Sequence, residues 1–309
     1  MPSNRRCQDV VIRGLALLAL AAAVTGCGGE DTPSASPEGD CPVAPVSVVV
    51  SVGQWGGIVD ELAGDCARVT TIVDGSAGDP HEFEPSPSDL AAFEGADLVV
   101  VNGLGYDTWA SDAVDALSER PEVVSAGEVA GLSTGDNPHV WYDPAVVRDT
   151  ASAVTAALGE VSADDATQHF AERAASWERS LEPYDAAIER ITTAASGRTF
   201  AATESVFDPM AAALGLRDVT PSGYRRAAAN ESEPAAADLA AFEDALQDGS
   251  VDVLVFNTQT EGSVPEQLRQ VAESAGVPVV EVTETAPEHT GFVAWQVTQL
   301  DALSRALGS

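Results

Sequence analysis

The sequence predicts an α/β protein of two lobes, each a parallel sheet flanked by helices, joined by a long interdomain helix. Three observations carry this reading. Short β-branched runs alternate with helical stretches from Val46 to about Val124. The same alternation restarts at Thr199. Between them, residues 145–195 show helical periodicity and no strand pattern. A hydrophobic fraction of 45% marks a chain that folds rather than a disordered one.

In order, Val46 to Val52 reads as a buried strand, and the Gly-rich turn Gly53 to Gly57 leads into an amphipathic helix over 58–63. Val69 to Val73 is a second strand. Ser88 is positioned to cap a helix over 89–94. Asp97 to Gly103 forms a third strand ending in a turn, residues 109–120 a helix, and Val123-Val124 a short fourth strand. Further on, Phe170, Ala174, Trp177, Leu181, Tyr184, Ile188 and Ile191 recur at spacings of four and three, an apolar seam on one long helix. Pro183 sits inside it and should kink it. The seam fits either a coiled-coil dimer or a helix packed across the protein's own two lobes; the second is expected, in a monomer. The second lobe then reads as a strand over 199–203, a helix through Leu214, a helix over 238–247, a strand over 251–256, a helix over 264–275, a strand over 277–282 and a closing helix over 292–307. A cleft between two such lobes, at the carboxyl ends of the strands, is where a ligand belongs.

The leading segment carries an address. Arg5, Arg6 and Arg13 precede an apolar stretch from Gly14 to Val24, too short for a convincing membrane span. Val24-Thr25-Gly26-Cys27 resembles the bacterial lipobox, in which the peptide is cut before the Cys and its thiol is lipidated. The expected organisation is a signal peptide over 1–26, a lipidated Cys27 with a flexible tether over 27–45, an N-terminal lobe over 46–144, a helical region over 145–197 and a C-terminal lobe over 198–309. The chain is then expected on the extracytoplasmic face of a bacterial membrane, held by its lipid. Cys7 leaves with the signal. Cys41 and Cys66 remain in an oxidising compartment, where a disulfide is the expected state. Metal binding is their alternative use, but CxxC spacing is missing.

The formal charge of −34, with all 15 basic residues Arg, excludes a nucleic-acid partner on electrostatic grounds. It raises the local concentration of cations, or only keeps the protein soluble.

The chain has four His. His81 lies in Gly78-Asp79-Pro80-His81-Glu82-Phe83-Glu84-Pro85, and His139 in Asn137-Pro138-His139-Val140-Trp141-Tyr142-Asp143-Pro144. In both, Pro stiffens a loop and fixes where the imidazole points, the pre-organisation a metal ligand needs. A zinc-peptidase HExxH reading of His81-Glu82 fails, because Pro85 stands where the second His should be. His169 falls on the polar side of the long helix and reads as a surface residue. His289 lies in a loop near Glu284 and is at most an accessory ligand.

The two Pro-His motifs, the long joining helix and the lipobox together resemble the metal-receptor family of ABC importers, the zinc- and manganese-binding solute receptors. The likeness runs from about Val46 to Leu307, with Ser232-Glu233-Pro234 and Asp238-Leu239 resembling a further family stretch. It implies four ligands, two from each lobe: His81 and His139, then Glu204 in Ala202-Thr203-Glu204-Ser205, then a carboxylate after the last strand. That last position falls on Glu284, with Glu281 and Glu288 as competitors. It also implies a divalent metal ion as cargo and a membrane permease as partner, with no catalysis. Two imidazoles and two carboxylates suit a divalent first-row ion. Glu rather than His at position 204, and the lack of a His-rich loop, lean toward Mn(II). The general affinity order leans toward Zn(II), with Fe(II) third. Two other classes compete: a surface adhesin or structural lipoprotein stabilised by a metal, and a metallohydrolase, which would need an open coordination position.

Overall fold

The computed structural model describes residues 40–75, 83–230, 232–260 and 262–308. The signal segment, Cys27 and His81 lie outside the described residues. Val46–Val52 is strand β1, and its valines are buried on both faces, as a central parallel strand requires. Helix α1 (Gly53–Ala63) follows with no turn between them. The glycines expected to form a turn are helical instead. At Gly56 the reason is space: a Cβ there would lie 2.5 Å from Thr71 Oγ1 on the next strand. A short 3-10 turn (Gly64–Cys66) leads to β2 (Ala67–Val73).

Helix α2 (Pro87–Ala91) is capped by Ser86, two residues before the expected cap. Pro87 already has the φ of a first helical residue, and Ser86 and Asp89 close a reciprocal capping box. Strand β3 (Leu98–Val101) is wholly buried. Helix α3 (Thr108–Asp115) stops five residues short of expectation, before Pro121. Strand β4 (Glu122–Ser125) and the single turn α4 (Ala126–Val129) complete the first lobe. Its sheet is parallel, in the order β2-β1-β3-β4.

The joining region holds three helices. Helix α5 (Pro144–Val161) opens on an Asp143 cap and Pro144. It packs on α1, β3 and β4, so it covers the first lobe. The seam helix is divided: α6 (Thr167–Ser180) and α7 (Glu182–Ala194) flank Leu181. Pro183 has no N–H for the Arg179 carbonyl, so the ladder is interrupted just before the proline. Helix α6 packs on α1 and α5, whereas α7 packs on elements of the second lobe. Phe170, Trp177, Leu181, Tyr184 and Ile191 are all buried in one apolar core with residues of both lobes. The seam is therefore spent within the chain.

The second lobe repeats the plan. Strand β5 (Thr199–Ala202), helix α8 (Asp208–Leu214), the two-residue β6 (Arg217–Asp218) and α9 (Ser222–Ala228) come first. Then come α10 (Ala236–Gln247), β7 (Val253–Asn257), α11 (Ser263–Ala275), β8 (Val279–Val282) and α12 (Phe292–Leu307). The parallel order is β6-β5-β7-β8. Helix α12 packs on α7 and also reaches α1, tying the last element to the first lobe. The described residues form one compact unit.

Cys41 and Cys66 are joined by a disulfide, both buried, at the amino ends of β1 and β2. On the chain-entropy account a loop of this length, 25 residues of separation, stabilises by about 3 kcal/mol. Among the described residues no helix is long and apolar enough to cross a membrane.

Candidate metal centre

Each side chain of the centre stands just past the carboxyl end of a strand. Tyr106 follows β3, Glu204 follows β5, Asn257 ends β7 and Glu284 follows β8, while His139 follows β4 and α4. Parallel strands deliver them all to the same end of each lobe.

His139 is 2% exposed. Asn137 sets its orientation, accepting from the His139 backbone N–H at 3.0 Å and from Nδ1 at 2.7 Å. A carbonyl oxygen only accepts, so Nδ1 carries a proton and Nε2 is the ring nitrogen that the neutral imidazole offers to a metal. Asn137 in turn donates to the Ser205 carbonyl of the other lobe at 2.8 Å. The Pro138 carbonyl accepts from Asn102, whose own carbonyl accepts from the Trp55 indole. Trp141 and Tyr106 pack edge-on against the imidazole, with ring centroids 5.3 and 6.2 Å away.

Nε2 faces two carboxylates, Glu284 Oε2 at 3.6 Å and Glu204 Oε1 at 3.9 Å. Glu284 is 1% exposed. Among the described residues, His139, Glu204 and Glu284 are the group whose potential ligand atoms all lie within 4.8 Å of one another. An ion about 2.1 Å from its donors needs any two of them closer than about 4.2 Å. The two contacts to Nε2 already meet that limit.

Polar neighbours hold the acids. Asn257 Nδ2 donates to Glu204 Oε2 at 2.7 Å and to Glu284 Oε1 at 3.0 Å. Thr260 donates to Glu204 Oε2. Tyr106, itself a hydrogen-bond acceptor from Gln54, donates across the lobes to Glu284 Oε2 at 3.0 Å. Gln259 accepts from the Glu284 and Thr285 amides at 2.7 and 3.0 Å, fixing the turn that carries the second acid. Burial, and then the neighbouring Glu284, push the Glu204 carboxyl above the usual range. Asp208 lies behind it. Burial, then Asp218, push its carboxyl to about 6.

The competing acids are elsewhere. Glu281 is exposed and pairs with Arg269 at 3.1 Å, and Glu288 is exposed in the following loop. His289 is exposed too. His169 is half-buried rather than on the surface, with a ring nitrogen 3.2 Å from the Ala63 carbonyl at the end of α1. Sequence reasoning missed Tyr106, Asn257, Thr260 and Asp208. For Asn257 a signal existed: a buried amide closing an apolar strand, at the end where ligands bind.

The model of the family described as "ZnuA: Zinc-uptake complex component A periplasmic" matches residues 48–306. The chain belongs to this family. It is a family of uptake components, not of enzymes. A manganese-binding lipoprotein, MntA of Halalkalibacterium halodurans, is 36% identical over 141 residues, covering 44% of this chain and 43% of the relative. The first curated relatives are thus matched over less than half their length. The high-affinity zinc uptake protein ZnuA of Bacillus subtilis is 23% identical over 265 residues, 79% of this chain and 80% of that one. In fold, the chain resembles the periplasmic zinc-binding protein TroA of Treponema pallidum. The TM-score is 0.72 at 20% identity, over 85% of this chain and 99% of that one.

The raised carboxyls give a pH dependence with a definite sign. The folded state binds the Glu204 and Asp208 protons more tightly than the unfolded chain does. Metal-free stability therefore rises as pH falls from neutral through the folded values toward an ordinary carboxylate. For Asp208, the interval from 3.8 to about 6 corresponds to roughly 3 kcal/mol. Asp89, Asp248 and Asp252, whose carboxyls are lowered, act with opposite sign only below about pH 4. The metal-free protein should melt several degrees higher at pH 5.5 than at pH 7.5. Melting scans at the two values check this, and a lower melting point at pH 5.5 would refute it.

Proposed function

We propose that the chain is an extracytoplasmic receptor that captures one divalent transition-metal ion and delivers it to the membrane permease of an ABC importer. The observation that carries this is the convergence of one oriented imidazole, one buried carboxylate and one part-buried carboxylate between the lobes. With both acids ionised and Nε2 unprotonated, the set carries two negative charges and matches a divalent ion. The family supports the role in uptake. Mn(II) and Zn(II) are the two cargoes that fit, in line with relatives named for each.

His81 completes the set in this reading, and Cys27 carries the lipid that keeps the receptor at the membrane. Strand β2 ends at Val73, and Gly75 follows on the way to His81. A Cβ at Gly75 would lie 3.9 Å from Glu288 Cγ, so this loop starts beside the one that holds Glu284. That proximity supports a fourth ligand from the first lobe.

The residues divide the work. Glu204 and Glu284 neutralise the ion, and His139, preset by Asn137, needs no reorientation to accept it. Capture competes with protonation of the raised Glu204 carboxyl, so affinity falls in acid. Release requires breaking contacts that cross the lobes, among them Tyr106 to Glu284 and Asn137 to Ser205. The α6–α7 spine, packed on both lobes, limits how far they part.

Calorimetric titration of the metal-stripped chain with Mn(II) and Zn(II) tests the reading. Tight one-to-one binding of at least one ion is expected. Binding of neither would end it.

A further inference from the structure

The two acids do not present themselves symmetrically. Glu204 turns Oε1 toward His139, and its Oε2 accepts from both Asn257 and Thr260. Two donors occupy the two lone-pair directions of that oxygen. Glu284 turns Oε2 toward His139, and its Oε1 accepts from the same Asn257 amide group. One buried side chain, 1% exposed, thus grips the distal oxygen of both acids. Its own position is fixed: the Asn257 backbone N–H donates to Thr203 Oγ1 at 3.1 Å, and Oδ1 accepts from the Gln259 amide at 3.1 Å.

We propose that Asn257, assisted by Thr260, is a specificity-determining residue that keeps Glu204 and Glu284 monodentate and so biases the centre toward ions content with four donors. The inference rests on the metal-receptor reading above. A carboxylate that binds through both oxygens must free the distal one. At Glu204 that breaks two hydrogen bonds, and at Glu284 one. The cost falls on an ion that needs more than four ligands, such as Mn(II). It spares Zn(II), which is satisfied by one oxygen from each acid beside imidazole nitrogen. Asn257 touches no ion in this arrangement. It acts through the carboxylates, as outer-shell partners do.

The experiment is a comparison of Mn(II) and Zn(II) dissociation constants for the natural chain, Asn257→Ala and Thr260→Val, each stripped of metal. Removing a grip weakens both ions to some degree, because the two acids are then held less firmly in the positions that receive the ion. The ratio of the constants cancels that shared loss. Relative to Zn(II), Mn(II) should gain about tenfold in Asn257→Ala. It should gain a smaller amount in the same direction in Thr260→Val, a near-isosteric change in a half-buried loop. Co(II) is a second probe. The natural chain should give the intense visible band of a four-coordinate ion, and Asn257→Ala the weak band of a higher coordination number. An unchanged ratio in both variants, or a weak Co(II) band in the natural chain, overturns the proposal while leaving the receptor reading intact. Failure of the natural chain to bind either ion overturns both.

Discussion

Replacing Glu284 by Gln is expected to remove tight metal binding and leave the metal-free fold at least as stable as before. Glu284 is one of two acids facing one imidazole nitrogen; it is buried, whereas Glu204 is part-buried. In the metal-free protein the pair repels itself, which is one reason the Glu204 carboxyl is raised. A Gln keeps an oxygen for Asn257 and offers its amide to Tyr106, whose hydroxyl can accept as well as donate. The lost repulsion should therefore outweigh the rearranged bond, and the Glu204 carboxyl should fall back toward its ordinary value. The ion, by contrast, loses a charged ligand. That is more severe than the loss of an outer-shell partner, so the drop in affinity should exceed about 100-fold for Mn(II) and Zn(II) alike. Paired melting curves with and without Zn(II) separate the two effects. A metal-induced upward shift as large as in the natural chain would place the centre elsewhere. A collapsed metal-free melt would show that the acid serves the fold.

The second large effect is expected at a residue that touches no ion. Asp107 is fully buried and accepts from Ser51 Oγ, the Asn102 amide at 2.6 Å and the Gly103 amide at 2.8 Å. Those amides begin a tight loop in which Gly103, Leu104 and Gly105 all have positive φ, 77°, 61° and 92°. Leu104 bears the cost of a side chain in that region and is held there by packing over Gly127, where a Cβ would lie 2.5 Å from Leu104 Cγ. The carboxylate is what satisfies a backbone that can pair with no strand. Asp107→Ala leaves a buried amide, a part-buried amide and a buried hydroxyl without an acceptor, and the expected loss is about 2–4 kcal/mol. Tyr106 rides on the same loop, so metal affinity should decline with it. Urea denaturation of the metal-free variant gives the first quantity and calorimetry the second. A change under about 1 kcal/mol would mean that water replaces the carboxylate at little cost.

Much of this was legible in the chain. The valine run at 46–52 and the closing helix at 292–307 stand as read, because periodicity over many residues reports directly on burial. The seam from Phe170 to Ile191 revealed a joining helix, but spacing alone could not say whether its partner was another copy or the chain itself. Packing on both lobes answers that. Strand β6 is two residues long and leaves no pattern to detect. At the centre, His139 was readable because Pro138 and Asn137 surround it in sequence, and the ring bond to Asn137 shows why that neighbourhood exists. Glu204 and Glu284 came from the family likeness, since an acid after a strand has no local signature of its own. Tyr106 and Asn257 were invisible for a deeper reason. Their partners are 178 and 53 or 27 residues away: the meeting of the two sheets brings Tyr106 to Glu284, and the order β5-β7-β8 sets Asn257 between its two acids.

On the anchoring proposed for Cys27, the polarity of the strands sets how the receptor would stand in use. The chain enters its fold at Cys41 and the amino end of β1, and the centre lies past the carboxyl ends, one seven-residue strand or ~23 Å further on. The mouth therefore opens at the end of the first lobe opposite Cys41. A receptor tied down by its leading residues would gather ions facing outward and would have to tip over to meet a partner embedded in the same surface. The reach of the segment ahead of Cys41 then becomes a gear in the delivery cycle. Too short a leash would leave a loaded receptor unable to turn, however tightly it holds its ion.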